Sequence, residues 1–283
     1  MNRLALIPLL GALLVTTGCS FLGLHGRNAT DPATAEAIAM ASIGTHRSEK
    51  NIARNVYRHP VETLSFFGLR SDMTVIEALP GGLWYSEILA PVLRDKGLYI
   101  AANYDADLPD QPDYRLRGRA NMVARFANEA EFFGSARIAK LSAPISIDLG
   151  EPGSADMVLT FRSNHGWIRE GAIDAVYAAF FEVLKPGGVL GVVQHRASDQ
   201  TDLSTFNGYV SQERVIELVG AAGFVLEATS EINANAKDSA NYEGGVWTLP
   251  PTLLLGDEDR AKYLAIGESD RMTLRFRKPT TEP

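Results

Sequence analysis

Short apolar runs rich in β-branched residues alternate along this chain with longer stretches in which apolar positions recur at helical spacing. The most telling transition is VIEALPGGLWYSEIL, residues 75–89. Val75 and Ile76 read as a buried strand ended by Glu77, Pro80-Gly81-Gly82 as a turn, and Trp84, Ile88 and Leu89 as the apolar face of a helix. A strand, a glycine turn and a helix N-terminus with an acid at the strand's end form the generic cradle of a nucleotide-like ligand. The same pattern is also an ordinary turn that holds nothing.

The pattern predicts further strands at 98–102, 145–149, 155–160, 189–193, 224–228 and 272–276. Helices are predicted over 32–42, where Asp31-Pro32 supplies an N-cap and a first-turn proline, and over 48–56 and 120–131. A piece from Pro60 to Gly68 places Val61, Leu64 and Phe67 on one face; a helix over 172–184 is stopped by Lys185-Pro186-Gly187-Gly188, and one over 212–222 is closed by Gly223. Residues 106–119, polar and proline-containing, read as an excursion over the sheet edge, and Arg47, Arg54, Tyr57 and Arg58 as a solvated face. Residues 229–267 read as a long insertion of the kind that covers a site, carrying Asn233, Asn235, Asp238, Tyr242, Trp247 and Pro250-Pro251. Such alternation implies an α/β domain with a mostly parallel sheet covered on both faces.

Composition narrows the function classes. With 46% hydrophobic and 22% charged residues the chain is an ordinary globular domain, and a formal charge of -7 with no basic cluster argues against nucleic acid as a partner. No paired-His or His-Cys spacing suggests a metal site, no GxSxG elbow offers a nucleophile, and no P-loop is present. The one cysteine, Cys19, follows Arg3, an apolar run from Leu4 to Val15 and the small residues Thr17 and Gly18. This is a secretory signal, too short for a comfortable membrane span, and it resembles a bacterial lipoprotein signal in which Cys19 becomes the lipidated first residue. That resemblance implies a signal over 1–18, an envelope protein held to the outer membrane through Cys19 alone and facing the periplasm, and no internal disulfide. Residues 19–45 then form a tether and an N-terminal helix, and 46–283 the main domain.

The succession VIEALPGG, SADMVLTFR and LKPGGVLGVVQH resembles the Rossmann-like class I S-adenosylmethionine-dependent methyltransferase fold. The ArgHisPro and PhePheGly elements near residue 60, ProGlyGly before TrpTyr, FRSNHGW and GESDRMTLRFRKP narrow this to a family of bacterial predicted methyltransferases of unassigned substrate, over about residues 46–279. The resemblance implies a seven-stranded, mostly parallel sheet with helices on both faces, strand order 3-2-1-4-5-7-6, and a ligand across the carboxyl ends of strands one, two and four. It makes S-adenosylmethionine the cofactor, with Glu77, Pro80, Gly81 and Gly82 at its methionine part and Asn103 or Asp105 at its ribose. Two departures stand out: Leu79 and Leu83 fill motif glycine positions, and an amide replaces the usual acid after strand two. In FRSNHGW, His165 is the implied proton acceptor and Arg162 an anion clamp, with Asn164, Trp167 and, beyond strand five, His195 beside Arg196 as substrate contacts. His165 reads equally as a hydrogen-bonded loop histidine and Trp167 as core, while Asp270-Arg271 reads as a structural ion pair.

Two functions follow. One is methyl transfer to an unidentified small molecule or envelope component; the other is a lipid-anchored, catalytically inactive ligand-binding module of the same fold. The export signal and a cofactor made in the cytosol pull in opposite directions, and the leucines at 79 and 83 suit the second function.

Overall fold

The structure, a computed structural model, describes residues 29–280, so the signal expected over 1–18 and Cys19 lie outside the described residues. The N-terminal part is helical: α1 (Pro32–Ser42), α2 (Glu49–Ile52), α3 (Asn55–Arg58) and α4 (Pro60–Phe67). Asp31 caps α1 as the pattern predicts, accepting from the Thr34 amide, and Pro32 opens the helix. Ile38 of α1 is fully buried in the core beside Leu64 and Phe67. The helix is therefore part of the domain body.

Alternation begins at β1 (Thr74–Ala78), followed by α5 (Ser86–Leu93), β2 (Leu98–Asn103), α6 (Asp113–Asn128), α7 (Ala130–Phe133), β3 (Arg137–Ser142) and β4 (Ser146–Asp148). It continues through β5 (Ala155–Phe161), α8 (Asn164–Arg169), α9 (Ile173–Val183), β6 (Leu184–His195), α10 (Gln212–Ala221), β7 (Val225–Ser230), α11 (Arg260–Ile266) and β8 (Arg271–Arg277). One sheet of eight strands results, in the order β4-β3-β2-β1-β5-β6-β8-β7. Leaving aside the short β4, this is the expected order, and β8 runs antiparallel to both β6 and β7. Along β1, Val75 enters the core on one face and Ile76 the core on the other. Burial on both faces is why the central strands read as continuous apolar runs.

Several boundaries differ from expectation. The strand in third place is β3, paired in parallel with β2, whereas the expected strand at 145–149 contains only the antiparallel edge strand β4. β3 is mostly half-exposed and its sequence, RIAKLS, carries no apolar run to betray it. The second half of the expected excursion at 106–119 belongs to α6, which buries only Met122 and Phe126 and so lacks an apolar stripe in its first turns. Lys185-Pro186-Gly187-Gly188 belongs to β6, held in the sheet where Gly187 N–H donates to the Lys278 carbonyl at 2.9 Å and Lys278 N–H to the Gly188 carbonyl at 3.0 Å. The insertion starts after β7 and spans 231–270.

Of the expected solvated face Tyr57 is exposed and Arg54 half-buried, but the other two arginines are interior. Arg47 is 4% and Arg58 0% exposed. Glu87, itself 1% exposed, takes Arg47 Nε at 3.0 Å, Arg125 Nη1 at 2.6 Å and Asn51 Nδ2 at 3.0 Å, fastening the 44–55 segment to α5 and α6. The predicted 48–56 helix is divided into α2 and α3. Glu87→Ala leaves the Arg47 guanidinium buried without an anion and is expected to cost about 3–5 kcal/mol in urea denaturation, whereas Glu62→Ala on the exposed side of α4 stays within about 0.5 kcal/mol.

Candidate functional site

A cavity of about 700 Å³ opens at the carboxyl ends of β1, β2, β5 and β6. Its walls include all three tryptophans of the chain, Trp84, Trp167 and Trp247. Of the residues predicted from sequence, Glu77, Pro80, Gly81, Asn103, Arg162, His165, Trp167 and His195 line it. Gly82, Asp105 and Asn164 do not.

Glu77 is 2% exposed. Tyr99 Oη donates to its Oε2 at 2.6 Å and Ser86 Oγ donates to the same oxygen at 2.7 Å, leaving Oε1 without a protein donor among the described residues. Burial pushes this carboxyl up to about 7, and the two hydroxyls and Arg162 only partly oppose the shift. The turn that follows keeps a glycine-like backbone without the glycines: Leu79 has φ 47° and Leu83 φ 64°, beside Gly81 at φ 57°. Left-handed leucines cost on the order of 1–2 kcal/mol each, so the surrounding fold imposes this shape.

Asn103 and Asp105, the residues expected at the ribose, part company in the structure. The Asn103 side-chain oxygen accepts from Tyr104 N–H at 2.8 Å, and its amide donates to Met122 Sδ at 3.2 Å. Asp105 points away from the cavity, receiving Ser146 Oγ at 2.7 Å and pairing with Lys140 at 3.0 Å. The Ser146 hydrogen bond first, with Lys140, holds its carboxyl down to about 2, the signature of a structural anion on the β3–β4 edge. Beside Asn103 the cavity is lined by Tyr104 and, from the unpredicted first turns of α6, Tyr114 and Arg115. The Arg115 guanidinium stacks over Tyr104 at 4.4 Å and pairs with Glu170 at the far end of α8.

On the other side, Gln194 orders the FRSNHGW segment. Its Oε1 accepts from Asn164 N–H at 3.2 Å, so its Nε2 donates to the Gly208 carbonyl at 3.1 Å and faces His165 Nδ1 at 3.3 Å. His165 therefore accepts at Nδ1 and carries its proton on Nε2. Burial first, and then Arg162, lowers this imidazole to about 4. A near-neutral base was expected here; the structure supplies a neutral hydrogen-bond donor that binds a proton poorly. His195, whose Nδ1 lies 2.6 Å from Ser269 Oγ, is likewise held neutral by burial and by Arg162. Asn164 is 1% exposed and sits beneath the cavity as part of this scaffold. Trp167 serves in both senses expected of it, lining the cavity while packing edge-on against Phe180.

Arg162 has φ 65°, fixed where its N–H donates to the Val193 carbonyl at 2.7 Å. Its guanidinium makes no hydrogen bond or ion pair among the described residues, and burial lowers it to about 10. Nearby, Arg54, Arg58 and Arg271 all pair with Glu268. Asp270 pairs with Arg196 at 2.8 Å, so Asp270 and Arg271 are both ion-paired, but not to each other. Sequence reasoning missed Glu268 and Arg58 because no local pattern marks them. In the insertion, Val246, Trp247, Pro250 and Pro251 roof the cavity as expected of a covering loop. The polar residues there act as struts: Asn233 donates to Thr63 and Thr273, and Asp238 receives Tyr209.

Because the folded state raises Glu77 from 4.5 to about 7, it binds a proton that the unfolded chain releases between those values. This contribution to stability is complete below pH 4.5 and is lost as pH rises through 7, up to about 3 kcal/mol in all. Glu77→Gln is expected to remove that decline, measured as the difference in urea-unfolding free energy between variant and wild type from pH 5 to 8.

Neither a family model nor a curated relative matches the chain. Solved structures do. An S-adenosylmethionine-dependent methyltransferase from Aquifex aeolicus superposes with a TM-score of 0.52 at 13% identity, covering 86% of this chain and 98% of that one. The [4+2]-cyclase SpnF superposes with a TM-score of 0.50 at 18% identity, over 84% of this chain and 85% of that one. At such identities the likeness is one of fold, and with the strand order it shows that this chain has the Rossmann-like methyltransferase fold.

Proposed function

We propose that this protein is an S-adenosylmethionine-dependent methyltransferase acting on a small-molecule or envelope substrate. The observation that carries the reading is Glu77: a buried carboxylate at the carboxyl end of β1, with one oxygen lacking a protein donor, beside a left-handed turn that opens on the cavity. Its burial disfavours the charged form, and a cationic ammonium on that oxygen would compensate it. The residues fit the cofactor at this end: Glu77 would hold the amino group and the Pro80-Gly81 backbone would lie against the methionine part. At the nucleoside end Asn103, Tyr104 and Arg115 would serve, with an amide in place of a carboxylate, which lowers affinity. When bound, the cofactor supplies an activated methyl group on a sulfonium. His165 donates a hydrogen bond from Nε2 and orients an acceptor, while Trp247 and Pro250-Pro251 keep water out.

The same reading retains Cys19 as the lipidated anchor of an envelope protein, supported by the apolar run and small residues that precede it. Leu79 and Leu83 at strained turn positions, and the Asn103 oxygen turned onto its own backbone, favour a second reading: a ligand-binding module of this fold without methyl transfer. Calorimetric titration of the purified protein with S-adenosylmethionine and its demethylated product separates the two. Micromolar binding is expected, weakened about tenfold or more by Glu77→Ala through loss of a charge-assisted hydrogen bond. No binding by folded protein overturns the methyltransferase reading and leaves the second. For the anchor, Cys19→Ser is expected to move the protein from the membrane pellet to the soluble fraction; continued sedimentation overturns lipidation at that residue.

A further inference from the structure

Four guanidinium groups converge where β5 ends and β8 begins, around one carboxylate. Glu268 pairs with Arg54 at 2.6 Å, Arg58 at 3.0 Å and Arg271 at 3.1 Å. Arg162, the fourth, has no partner among the described residues, yet it is close enough for its charge to act on both Arg58 and Glu268. Four cations against one anion leave three formal positive charges in excess. Burial works to raise the Glu268 carboxyl, and the arginines, Arg58 foremost, outweigh it and hold it down to about 2. The one carboxylate is therefore fully ionised and still insufficient.

Arg58 makes the deficit plain. It is 0% exposed, its Nε is on Glu268, and both Nη atoms lack a hydrogen-bond acceptor among the described residues. Buried guanidinium donors without acceptors are costly. Its guanidinium lies 4.8 Å from the Trp84 ring, and Trp84 and Glu268 both form the cavity wall. In front of that wall Arg162 faces the cavity, held in a left-handed conformation that a side chain adopts only where the fold imposes it. Facing these cations are Phe206 and Trp247, 5.2 Å apart, with Pro250 and Pro251. The neighbouring imidazoles are both neutral, so neither adds charge nor readily takes a proton.

We infer that Arg162, backed by the buried Arg58–Glu268–Arg271 cluster, is the subsite for a carboxylate carried on a planar apolar body. A carboxylate matches the planar fork of a guanidinium, and only one cation of the cluster faces the ligand, which suits a single negative charge. Were a carboxylate oxygen to take the methyl group, the O–C bond would form as the sulfonium S–C bond breaks, the demethylated cofactor would leave and no proton would have to be lost, in keeping with a cavity that offers no neutral-range imidazole base. The carboxylate is assigned to the methyl acceptor: Arg162 follows β5, one strand from β1, but Glu268, Ser269 and His195 around it belong to the β6–β8 side of the sheet, two to three strands, about 5 Å each, from β1. That assignment to an acceptor rests on the methyltransferase reading; the carboxylate subsite does not.

Benzoate and its neutral isostere benzamide test the subsite, followed by intrinsic fluorescence because every tryptophan lines the cavity. Saturable quenching by benzoate is expected at concentrations about tenfold or more below those needed for benzamide. Arg162→Gly, which tolerates φ 65° and removes the guanidinium, is expected to abolish that preference, and Arg162→Lys to keep part of it. Equal or absent quenching by the two probes, or a preference that survives in a folded Arg162→Gly protein, overturns the subsite. Repeating the titration with saturating S-adenosylhomocysteine locates it: unchanged benzoate affinity is expected, and competition overturns the acceptor assignment in favour of the amino-acid end of the cofactor. The benzoate–benzamide comparison needs no donor, so a failed donor titration and a failed subsite are read separately.

Discussion

The structure turns on the burial of charge that its own residues do not fully balance. Glu268 collects Arg54 and Arg58 from the N-terminal helices and Arg271 from the start of β8, joining segments more than 200 residues apart through one carboxylate. Interior charge of this kind adds little net stability, because desolvation offsets the attraction, but it fixes geometry: each guanidinium has one place to go. Glu87 does the same for Arg47 and Arg125, and the Trp84 ring joins the two clusters, with Arg47 at 4.6 Å and Arg58 at 4.8 Å. Glu77 is a buried acid with hydroxyl donors on one oxygen and no ion-pair partner of its own among the described residues. The cavity is bounded by a carboxylate that wants a cation and arginines that want an anion.

Four of the eight left-handed non-glycine residues among the described residues fall at or beside the same place. His59, Leu79, Leu83 and Arg162 all adopt positive φ without being glycine. Leu79 and Arg162 line the cavity, while His59 follows Arg58 and Leu83 precedes Trp84. Conformations of this cost persist where surrounding packing over-determines them, and Leu83, 5% exposed in the core, shows how. Its side chain gives back in burial what its backbone loses in strain. A turn shaped by packing in this way holds a cradle without the glycines from which it is ordinarily built.

What the sequence made legible follows burial. β1, β5 and β6 lie in the middle of the sheet and β8, next to its edge, is as deeply buried, so their apolar runs announced them, and the glycine turn after β1 marked where the cavity opens. β3 and the first turns of α6 are half-exposed and were missed, and with α6 went Tyr114 and Arg115. Arg58 looked solvated because its carboxylate is 210 residues away, and Arg47 because its own is 40 away. Asp105 looked like a ribose ligand because adjacency in sequence says nothing of Ser146 and Lys140, which draw it to the other edge. His165 lines the cavity but with another protonation chemistry than expected: its environment is made by burial, by Arg162 three residues before it and by Gln194 on β6, and of these only Arg162 stands in its own segment.

The fold alone does not choose a reaction. A methyltransferase and a [4+2]-cyclase both superpose on this chain at low identity, so the argument for chemistry has to come from side chains. Here they favour orientation and electrostatics over proton transfer. Both imidazoles at the cavity are neutral and reluctant to protonate, while Glu77, the one acid poised near neutrality, has an oxygen occupied by Tyr99 and Ser86. A positive field from Arg162 and the cluster behind it lowers the affinity of every nearby base for a proton and raises the affinity of the cavity for an anion. The arrangement that disables a histidine base is thus the same one that would make such a base unnecessary.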